Sequence, residues 1–238
     1  MTVHIIQTRH GKMAIHYPQD FISQALLSSG EYEWYVIELV IKQAQLRGPG
    51  VILDIGSNMG TVCLPVAQQL PNYTVAAFEP LPAMQEILLQ NIQLNNITNI
   101  QTYNHALGDS YGVMQIQEPL YDQAANIGAF SLNPAVWGNS DISVGHGKEI
   151  TIEIKPLDSM IFYDPICCIK LDVEGYELSV LKGAVETLRV HDFPPIIYER
   201  WSYNTWWNNE AKLLQDWLVE LGYQVQHHND TAIAVYKQ

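Results

Sequence analysis

Basic residues are scarce in this chain, where 12 Lys and Arg stand against 25 Asp and Glu for a formal net charge of −13. Proteins that bind a phosphate backbone need concentrated positive charge, so we expect no nucleic-acid partner. The chain also lacks an apolar run of about 18 residues, the length that a membrane-spanning helix needs. Met1–Arg9 lacks the apolar core of a signal peptide. These absences predict a cytoplasmic protein without a membrane span.

Cysteine is equally sparse, with three residues in 238, and Cys167 and Cys168 are adjacent inside an apolar run. This number and spacing fit neither a disulfide framework nor a zinc site and indicate buried thiols in a reducing compartment. No internal repeat or low-complexity linker divides the sequence. We therefore expect one domain over residues 1–238, with a helical N-terminal cover over 1–48 and an α/β core over 49–238.

The stretch VILDIGSNMG, from Val51 to Gly60, is the most informative part of the sequence. Its branched apolar residues predict a strand that is buried on both faces and that ends at Asp54. Gly56 and Gly60 allow a tight turn before a helix. Such a glycine loop is a common site for a nucleotide or cofactor, although an ordinary strand-to-helix turn has the same pattern.

Strand and helix patterns alternate on both sides of this loop. A helix at Glu31–Leu46 precedes it, and a helix to about Leu70 follows it, with Pro65 tolerated in the first turn only. The alternation predicts parallel strands joined by right-handed crossovers. Further strands are predicted at Tyr73–Phe78, Ile100–Ala106, Ile166–Val173 and Pro195–Glu199, further helices at Pro82–Leu94, Leu178–Leu188 and Leu213–Leu221, and a closing hairpin at Tyr223–His227 and Ala232–Tyr236.

The segment from Ser110 to Ile154 breaks this alternation. It has two short strand patterns, Val113–Ile116 and Glu149–Ile154, around a long polar loop. Loops of this length in a compact domain are commonly functional. We expect Gly128–Gly147 to be a lid that orders when ligands bind, and its His146 and neighbouring Lys148 either reach the substrate or remain in solvent.

Acidic residues follow the predicted strands at the edge where such sheets bind ligands. They are Asp54, Glu79, Asp109, Asp172 and Glu199. Glu79 can accept hydrogen bonds from both hydroxyls of a ribose, which suits either NAD or S-adenosylmethionine (SAM). The glycine spacing departs from the G-x-G-x-x-G pattern of a pyrophosphate loop and therefore favours SAM, whose amino-acid end could meet Asp54 and the loop amides.

Six motifs occur in the order and approximate spacing of the FkbM-like family of SAM-dependent methyltransferases: DIGSNMG, AFEP, LLQNIQLNN, NHALGD, NIGAFSL and IKLDVEGYELSVLKGA. The resemblance covers roughly residues 30–199. It implies an α/β class I SAM-methyltransferase (Rossmann-like) fold, with a mostly parallel seven-stranded sheet and a C-terminal antiparallel hairpin. The usual activity of the family is O-methylation of sugars or natural products.

The resemblance also implies which residues form the cofactor site. The loop residues are Asp54, Gly56, Ser57, Asn58 and Gly60, and the ribose acid is Glu79, followed by Pro80 as a further contact. The adenine neighbourhood is Ala106–Asp109, with Ala106 and Leu107 as contacts, and Asp172 is a further cofactor contact. Ser57 replaces the more usual alanine. The Trp-rich stretch after Glu199 lies outside the family pattern, and its Trp201, Tyr203, Trp206 and Trp207 either form a stacking wall for the acceptor or pack the last helix onto the sheet.

Methyl transfer from a sulfonium is an in-line displacement, so the enzyme must align the acceptor oxygen and remove its proton. Strand alternation places Lys170, Asp172 and Glu174 on one side of their strand. We expect Asp172 or Glu174 to be the base, with His146 as a third candidate, unless the carboxylates cap the next helix or a loop amide. Lys170 is expected to pair with Glu199 or Asp54, because an unpaired buried ammonium is costly.

No metal is expected, since Asp172, Glu174 and a histidine lack a recognisable ligand spacing. His105 is expected to be a neighbour of the cofactor rather than a base. Two other classes of function remain open from the sequence: a nicotinamide-dependent oxidoreductase, and a catalytically silent SAM-binding subunit. The methyl acceptor is expected to be a small molecule. No sequence feature indicates its identity or the oligomeric state.

Overall fold

A computed structural model describes residues 3–123, 126–137, 146–200 and 205–237 of the chain. Its strands are β1 (His4–Thr8), β2 (Gly11–Ile15), β3 (Val51–Ile55), β4 (Thr74–Phe78), β5 (Ile100–Tyr103), β6 (Ala106–Leu107), β7 (Gly112–Pro119), β8 (His146–Lys155), β9 (Ile166–Leu171), β10 (Ile196–Glu199), β11 (Tyr223–His228) and β12 (Thr231–Tyr236). Its helices are α1 (Phe21–Ser29), α2 (Trp34–Arg47), α3 (Cys63–Gln69), α4 (Pro82–Leu94), α5 (Pro134–Trp137), α6 (Glu177–Lys182), α7 (Val185–Val190) and α8 (Thr205–Glu220).

The central sheet has seven strands in the order β11-β12-β10-β9-β3-β4-β5. Strands β10, β9, β3, β4 and β5 are parallel, and the hairpin β11–β12 joins antiparallel to β10. The mostly parallel α/β sheet with a closing hairpin is thereby confirmed. The chain order reverses beside β3, which lies between β4 and β9, and such a reversal opens a crevice at the carboxyl ends of the strands.

The strand register brings the predicted site residues to one edge. Ile55 at the end of β3 is paired with Phe78 on one side and Leu171 on the other. The next residues along the three chains are Gly56, Glu79 and Asp172. Because parallel strands end at the same edge, these three residues lie together at the reversal point.

Helices cover both faces of the sheet. Strand β3 alternates, with Ile52 packing in the cluster that contains α2, α3 and α4, and Leu53 in the cluster that contains α6, α7 and α8. All five residues of β3 are buried, as the continuous apolar run predicts for a strand between two helix layers. Pro65 lies in the first turn of α3, where its missing N–H costs no helical hydrogen bond. No helix within the described ranges is long and apolar enough to cross a membrane.

The N-terminal region contains a hairpin, β1–β2, that was not predicted. Met13, Ala14 and Ile15 are fully buried, and the amide of Ala14 donates to Asn91 Oδ1 in α4 at 2.8 Å. The cover is therefore a hairpin followed by helices rather than helical throughout. The predicted helix at Glu31–Leu46 begins later, at Trp34, because Glu33 adopts a left-handed conformation with φ 50°.

Two further predictions were wrong in extent. The strand predicted at Ile100–Ala106 ends at Tyr103, and Ala106 belongs instead to β6 in a separate sheet with order β6-β8-β7. The helix predicted at Leu178–Leu188 is divided into α6 and α7 around Gly183. A Cβ on Gly183 would lie 1.9 Å from the carbonyl oxygen of Gly108, so the backbone approaches its neighbour too closely for an ordinary side chain.

Gly183→Ala should therefore destabilise the protein. Its methyl group would overlap the Gly108 backbone, which cannot rotate away as a side chain can, and we expect a loss of about 1–3 kcal/mol or more in the free energy of unfolding. Gly112→Ala is the matched control, because its nearest neighbour would be 4.0 Å away. Urea unfolding of both variants measures the difference, and equal stabilities would contradict the close approach.

Candidate active site

A cavity of about 350 Å³ lies at the carboxyl edge of the sheet, beside the reversal point. The ends of β3, β4, β9 and β10 form its floor, and the residues between α1 and α2 contribute one wall. A segment from Asn126 to Leu132, called here the covering segment, also lines the cavity and lies against α1. The cavity is within the size range of small-molecule sites.

Gly56 begins the loop after β3 and lines this cavity. Its φ is 83°, and a Cβ would lie 1.8 Å from the carbonyl oxygen of Asp172. Only glycine satisfies both the backbone conformation and the contact. Gly60 shares the positive φ, 96°, but its close contact is different, since a Cβ there would lie 2.0 Å from Leu64 Cδ1 in the core. The two glycines therefore shape the loop by separate constraints, one at the cavity and one behind it.

The predicted cofactor residues divide into two groups. Those that line the cavity are Gly56, Asn58, Glu79, Pro80, Ala106, Leu107 and Asp172. Asp54, Ser57 and Gly60 are buried and are not among the lining residues. Ser57 Oγ donates to the carbonyl oxygen of Asp54 at 2.7 Å, so this side chain closes the turn from beneath. The second group supports the loop, and the first group presents atoms to a ligand.

Glu79 both holds the loop and faces the cavity. Its carboxylate accepts the amide of Asn58 at Oε2 and the amide of Leu81 at Oε1, each at 2.9 Å. Burial raises the pKa of Glu79 to about 7, although the two backbone donors act in the opposite direction. Each carboxylate oxygen keeps a lone pair that can accept a ribose hydroxyl.

The end of the cavity near β4 and β6 is apolar and aromatic. Phe78 and Tyr103 stack with ring centroids 4.7 Å apart, and His105 meets Phe78 edge-on at 5.8 Å. His105 lines the cavity, as a neighbour of the cofactor should, and Leu107 lies beside it. Flat aromatic and aliphatic surfaces of this kind suit a purine ring.

The opposite end is acidic and contains one buried lysine. Lys170 Nζ donates to the carbonyl oxygen of Gly56 at 2.7 Å and lies 3.3 Å from both Asp54 Oδ1 and Asp172 Oδ2. The predicted pairing with Asp54 is confirmed, and Glu199 is not the partner in these contacts. Burial alone would lower the pKa of Lys170, but the two carboxylates raise it, so the ammonium stays charged.

Asp172, Glu174 and Glu199 converge near this lysine. One carboxylate oxygen from each lies within 4.8 Å of the others. Burial, followed by the charge of Asp172, raises the pKa of both Glu174 and Glu199 well above the usual range. Glu33 lines the same cavity, and burial followed by repulsion from Asp172 raises its pKa to about 7. A carboxyl group whose pKa lies near neutral pH, as that of Glu33 does, is suited to receive a proton.

Glu177 caps the loop after β9. Its carboxylate accepts the amides of Val173 and Gly175, with distances of 3.0–3.3 Å to the latter and 3.1 Å to the former. The alternative role of Asp172 and Glu174 was to bind loop amides. Glu177 makes these contacts instead. Strand β9 ends at Leu171 rather than at the predicted Val173, so Glu174 lies in the loop beyond it, where its φ of 53° is a left-handed conformation.

Three hydrogen bonds hold the covering segment and Asn133, the residue after it, in place. Asp20, which caps α1, also accepts the amide of Ile127 at 2.7 Å. Ser131 Oγ donates to the carbonyl oxygen of Glu174, and Asn133 Nδ2 donates to that of Gly175 at 2.8 Å. Ser131 and Asn133 belong to the first part of the predicted lid at 128–147, whereas 138–145 lie outside the described residues. The ordering of the lid by ligands stays a prediction.

Several expected contributors are placed elsewhere or are not described. Asp109 is exposed and does not line the cavity. Lys148 is exposed and pairs with Glu118 at 3.5 Å. The backbone of His146 begins β8, but its side chain lies outside the described residues, as do Trp201 and Tyr203. Trp207 is buried within 3.4 Å of a Cβ built on Gly175, which places it in the packing of α8.

Sequence reasoning missed three contributions to the cavity wall: α1, the residues just before α2, and the residue after the glycine loop. Phe21, Ile22, Tyr32, Glu33 and Thr61 all line the cavity. The apolar character of Phe21–Leu27 indicated a cover but not its position. Glu33 had no local signature, because its place at the cavity depends on docking of α2 onto β9.

The fold and the cavity together define a class of protein. A precorrin-6y C5,15-methyltransferase from Geobacter metallireducens GS-15 superimposes with a TM-score of 0.50 at 13% identity, over 85% of this chain and 88% of that chain. At this identity the likeness shows the fold alone, that of the class I SAM-dependent methyltransferases. A family model, the methyltransferase FkbM domain, matches residues 54–225. The chain therefore belongs to the FkbM methyltransferase family, and its cofactor is SAM.

Two curated relatives are methyltransferases of fungi. Methyltransferase 1 of Beauveria bassiana (strain ARSEF 2860) is 25% identical over 144 residues, which cover 56% of this chain and 57% of the relative. Methyltransferase sdnD of Sordaria araneosa is 25% identical over 171 residues, 60% of this chain and 63% of the relative. The chain thus matches about three-fifths of the length of these relatives.

The residues present fit the cofactor. Gly56 and Asn58 bring loop backbone atoms to the cavity, Glu79 offers carboxylate oxygens to a ribose, and Phe78 and Leu107 offer an apolar surface to adenine. Asp54 faces Lys170 rather than the cavity, so loop backbone atoms are better placed than Asp54 to meet the amino-acid end.

The affinity for S-adenosylhomocysteine (SAH), the demethylated product, should rise with pH through about 7. Below its raised pKa Glu79 is protonated and can no longer accept both ribose hydroxyls, so affinity should change by up to about tenfold per pH unit. Glu79→Gln should bind more weakly and lose this dependence. Calorimetric titration between about pH 5.5 and 8.5 measures both proteins, and identical profiles would contradict the role of Glu79.

Chelation should leave cofactor binding unchanged. The trio Asp172, Glu174 and Glu199 has a spacing that could hold a metal ion, but Lys170 already neutralises Asp172 at 3.3 Å. We therefore expect substoichiometric metal in the purified protein and equal SAH affinity before and after EDTA. Stoichiometric Mg²⁺, Mn²⁺ or Zn²⁺ by elemental analysis, or affinity restored by one of these ions, would contradict the expectation.

Proposed function

We propose that this protein is a SAM-dependent O-methyltransferase that acts on a hydroxyl group of a sugar or natural-product small molecule. The observation that carries the proposal is that Asp172 and Glu174 line the same cavity as Gly56 and Glu79. A base is therefore available beside the cofactor residues. We further propose that residues 1–238 act as one cytoplasmic domain without a nucleic-acid partner, in keeping with the acidic net charge of −13.

The chemistry requires a transfer of charge as well as of a methyl group. The cofactor supplies an electrophilic methyl group on a positively charged sulfur. As the acceptor oxygen gains the methyl group, its proton passes to a carboxylate, so the positive charge leaves as a proton on Asp172 or Glu174. The neighbouring carboxyl groups disfavour several simultaneous negative charges, and a cluster of this kind readily keeps one proton.

The walls of the cavity support a mixed apolar and hydroxylated acceptor. Phe21, Phe130 and Tyr176 supply aromatic surface, and Glu33 and Glu199 supply acceptors for further hydroxyl groups. Sugar rings and many natural products combine such faces and hydroxyls. His146 remains a candidate base in the proposal, since it belongs to the predicted lid at 128–147, where it begins β8.

A labelled-methyl assay distinguishes this proposal from the two other classes. The acceptors are a panel of hydroxyl-bearing sugars and natural products with matched amine and thiol analogues. Transfer to hydroxyl acceptors supports the proposal, and transfer confined to amines or thiols contradicts it. SAM binding without transfer to any compound corresponds to a silent subunit, and oxidation of NADH corresponds to an oxidoreductase.

Substitution at the end of β9 tests the base. Asp172→Asn or Glu174→Gln should keep the fold and the SAH affinity but lose about 10²–10⁴ in single-turnover rate, because the amide cannot take the proton. Glu177→Ala is the control: it removes the acceptor of the loop amides, so it should lower the melting temperature while leaving the rate per folded enzyme near wild type. Normal rates in both carboxamide variants would transfer the role to His146 or Glu199.

A further inference from the structure

Lys170 is the one Lys or Arg among the described residues that line the cavity. Five carboxyl groups line it as well, those of Glu33, Glu79, Asp172, Glu174 and Glu199. The lysine side chain is only 7% exposed, so it reaches the cavity floor from within the sheet. It is thus the only described basic side chain whose field opposes that of the carboxylates.

The ammonium has one hydrogen-bond acceptor and two ion-pair partners. They are the carbonyl oxygen of Gly56 at 2.7 Å, Asp54 Oδ1 at 3.3 Å and Asp172 Oδ2 at 3.3 Å. Asp54 lies behind the lysine and does not line the cavity, whereas Asp172 does. The buried Asp54 therefore fixes the position of the ammonium, and the ammonium in turn fixes the cavity-facing Asp172.

We propose that Lys170 is a positioning residue that sets the charge of the cavity floor and thereby determines how strongly the site prefers SAM to SAH. The proposal rests on the proposed binding of both molecules in this cavity. SAM carries a sulfonium charge and SAH a neutral thioether, and the two molecules are otherwise nearly alike. Any charge on the wall therefore acts on the difference between their affinities.

This role has a reason in the reaction. Carboxylates that bind the sulfonium strongly stabilise the ground state more than the transition state, in which that positive charge is already leaving the sulfur. Lys170 reduces this ground-state attraction and at the same time holds one oxygen of Asp172. The other oxygen is left for the acceptor. The same contact thus limits the binding of the donor and orients the base.

Lys170→Gln tests the proposal without a known acceptor. Glutamine removes the charge and keeps N–H donors for Gly56 and Asp54, and calorimetry at low salt gives the affinities of SAM and SAH separately. The preference for SAM over SAH should rise by about three- to tenfold, and Asp172→Asn should lower it by a similar factor. Lys170→Arg should restore the wild-type preference, and Lys212→Gln, which removes an exposed lysine on α8, should not alter it.

A merely structural lysine gives a different result. In that case Lys170→Gln weakens SAM and SAH in parallel, the ratio stays at the wild-type value, and the proposal is overturned. If the single variant fails to fold, Asp54→Asn combined with Lys170→Gln removes the buried pair together. The preference should still rise, because Asp54 does not line the cavity. Wild-type protein that binds neither molecule would instead contradict the cofactor assignment.

Discussion

The close approach of two strand ends is the constraint on which the site depends. The loop after β3 and the end of β9 meet so closely that a Cβ on Gly56 would lie 1.8 Å from the Asp172 carbonyl oxygen. No side chain can stand between them, and the amide of Asp172 donates to the carbonyl oxygen of Ile55 at 3.0 Å. The backbone of the cofactor loop is therefore held directly against the backbone of the candidate base. A shift of β9 would move both together, which preserves their mutual geometry.

Electrostatic requirements follow from that geometry. A site that must bind a ribose and accept a proton collects carboxylates at one sheet edge, and burial makes each of them reluctant to ionise. Burial raises the pKa values of Glu33, Glu79 and Glu177 to about 7. The cluster thus holds protons at a pH where isolated carboxyl groups have lost them. Among the described residues that line the cavity, Lys170 is the one Lys or Arg that can compensate, which explains why a lysine can occupy an otherwise apolar run.

The parts of the fold that the sequence predicted were those with local causes. The run Val51–Leu53, the glycines after it and the acid of Glu79 each express a requirement of their own position. The pairing of Lys170 with Asp54 was also predictable, because a buried ammonium needs a carboxylate nearby. The hairpin β1–β2 could have been recognised from the alternation around Gly11. The break at Gly183 and the place of Glu33 could not, because each depends on a residue or element far away in sequence.

The hairpin β1–β2 has a consequence for the order in which the chain acquires its structure. His10 Nδ1 donates to the carbonyl oxygen of Thr61, 51 positions later, and Ala14 donates to Asn91, 77 positions later. Since Tyr32 donates its amide to Nε2 of the same ring, the imidazole joins two walls of the cavity. On a ribosome the hairpin emerges before α3 and α4, so it cannot complete these bonds until α4 has been synthesised. The hairpin residues thus complete their contacts late relative to their own synthesis, and they close this side of the cavity only once the glycine loop and α4 are in place.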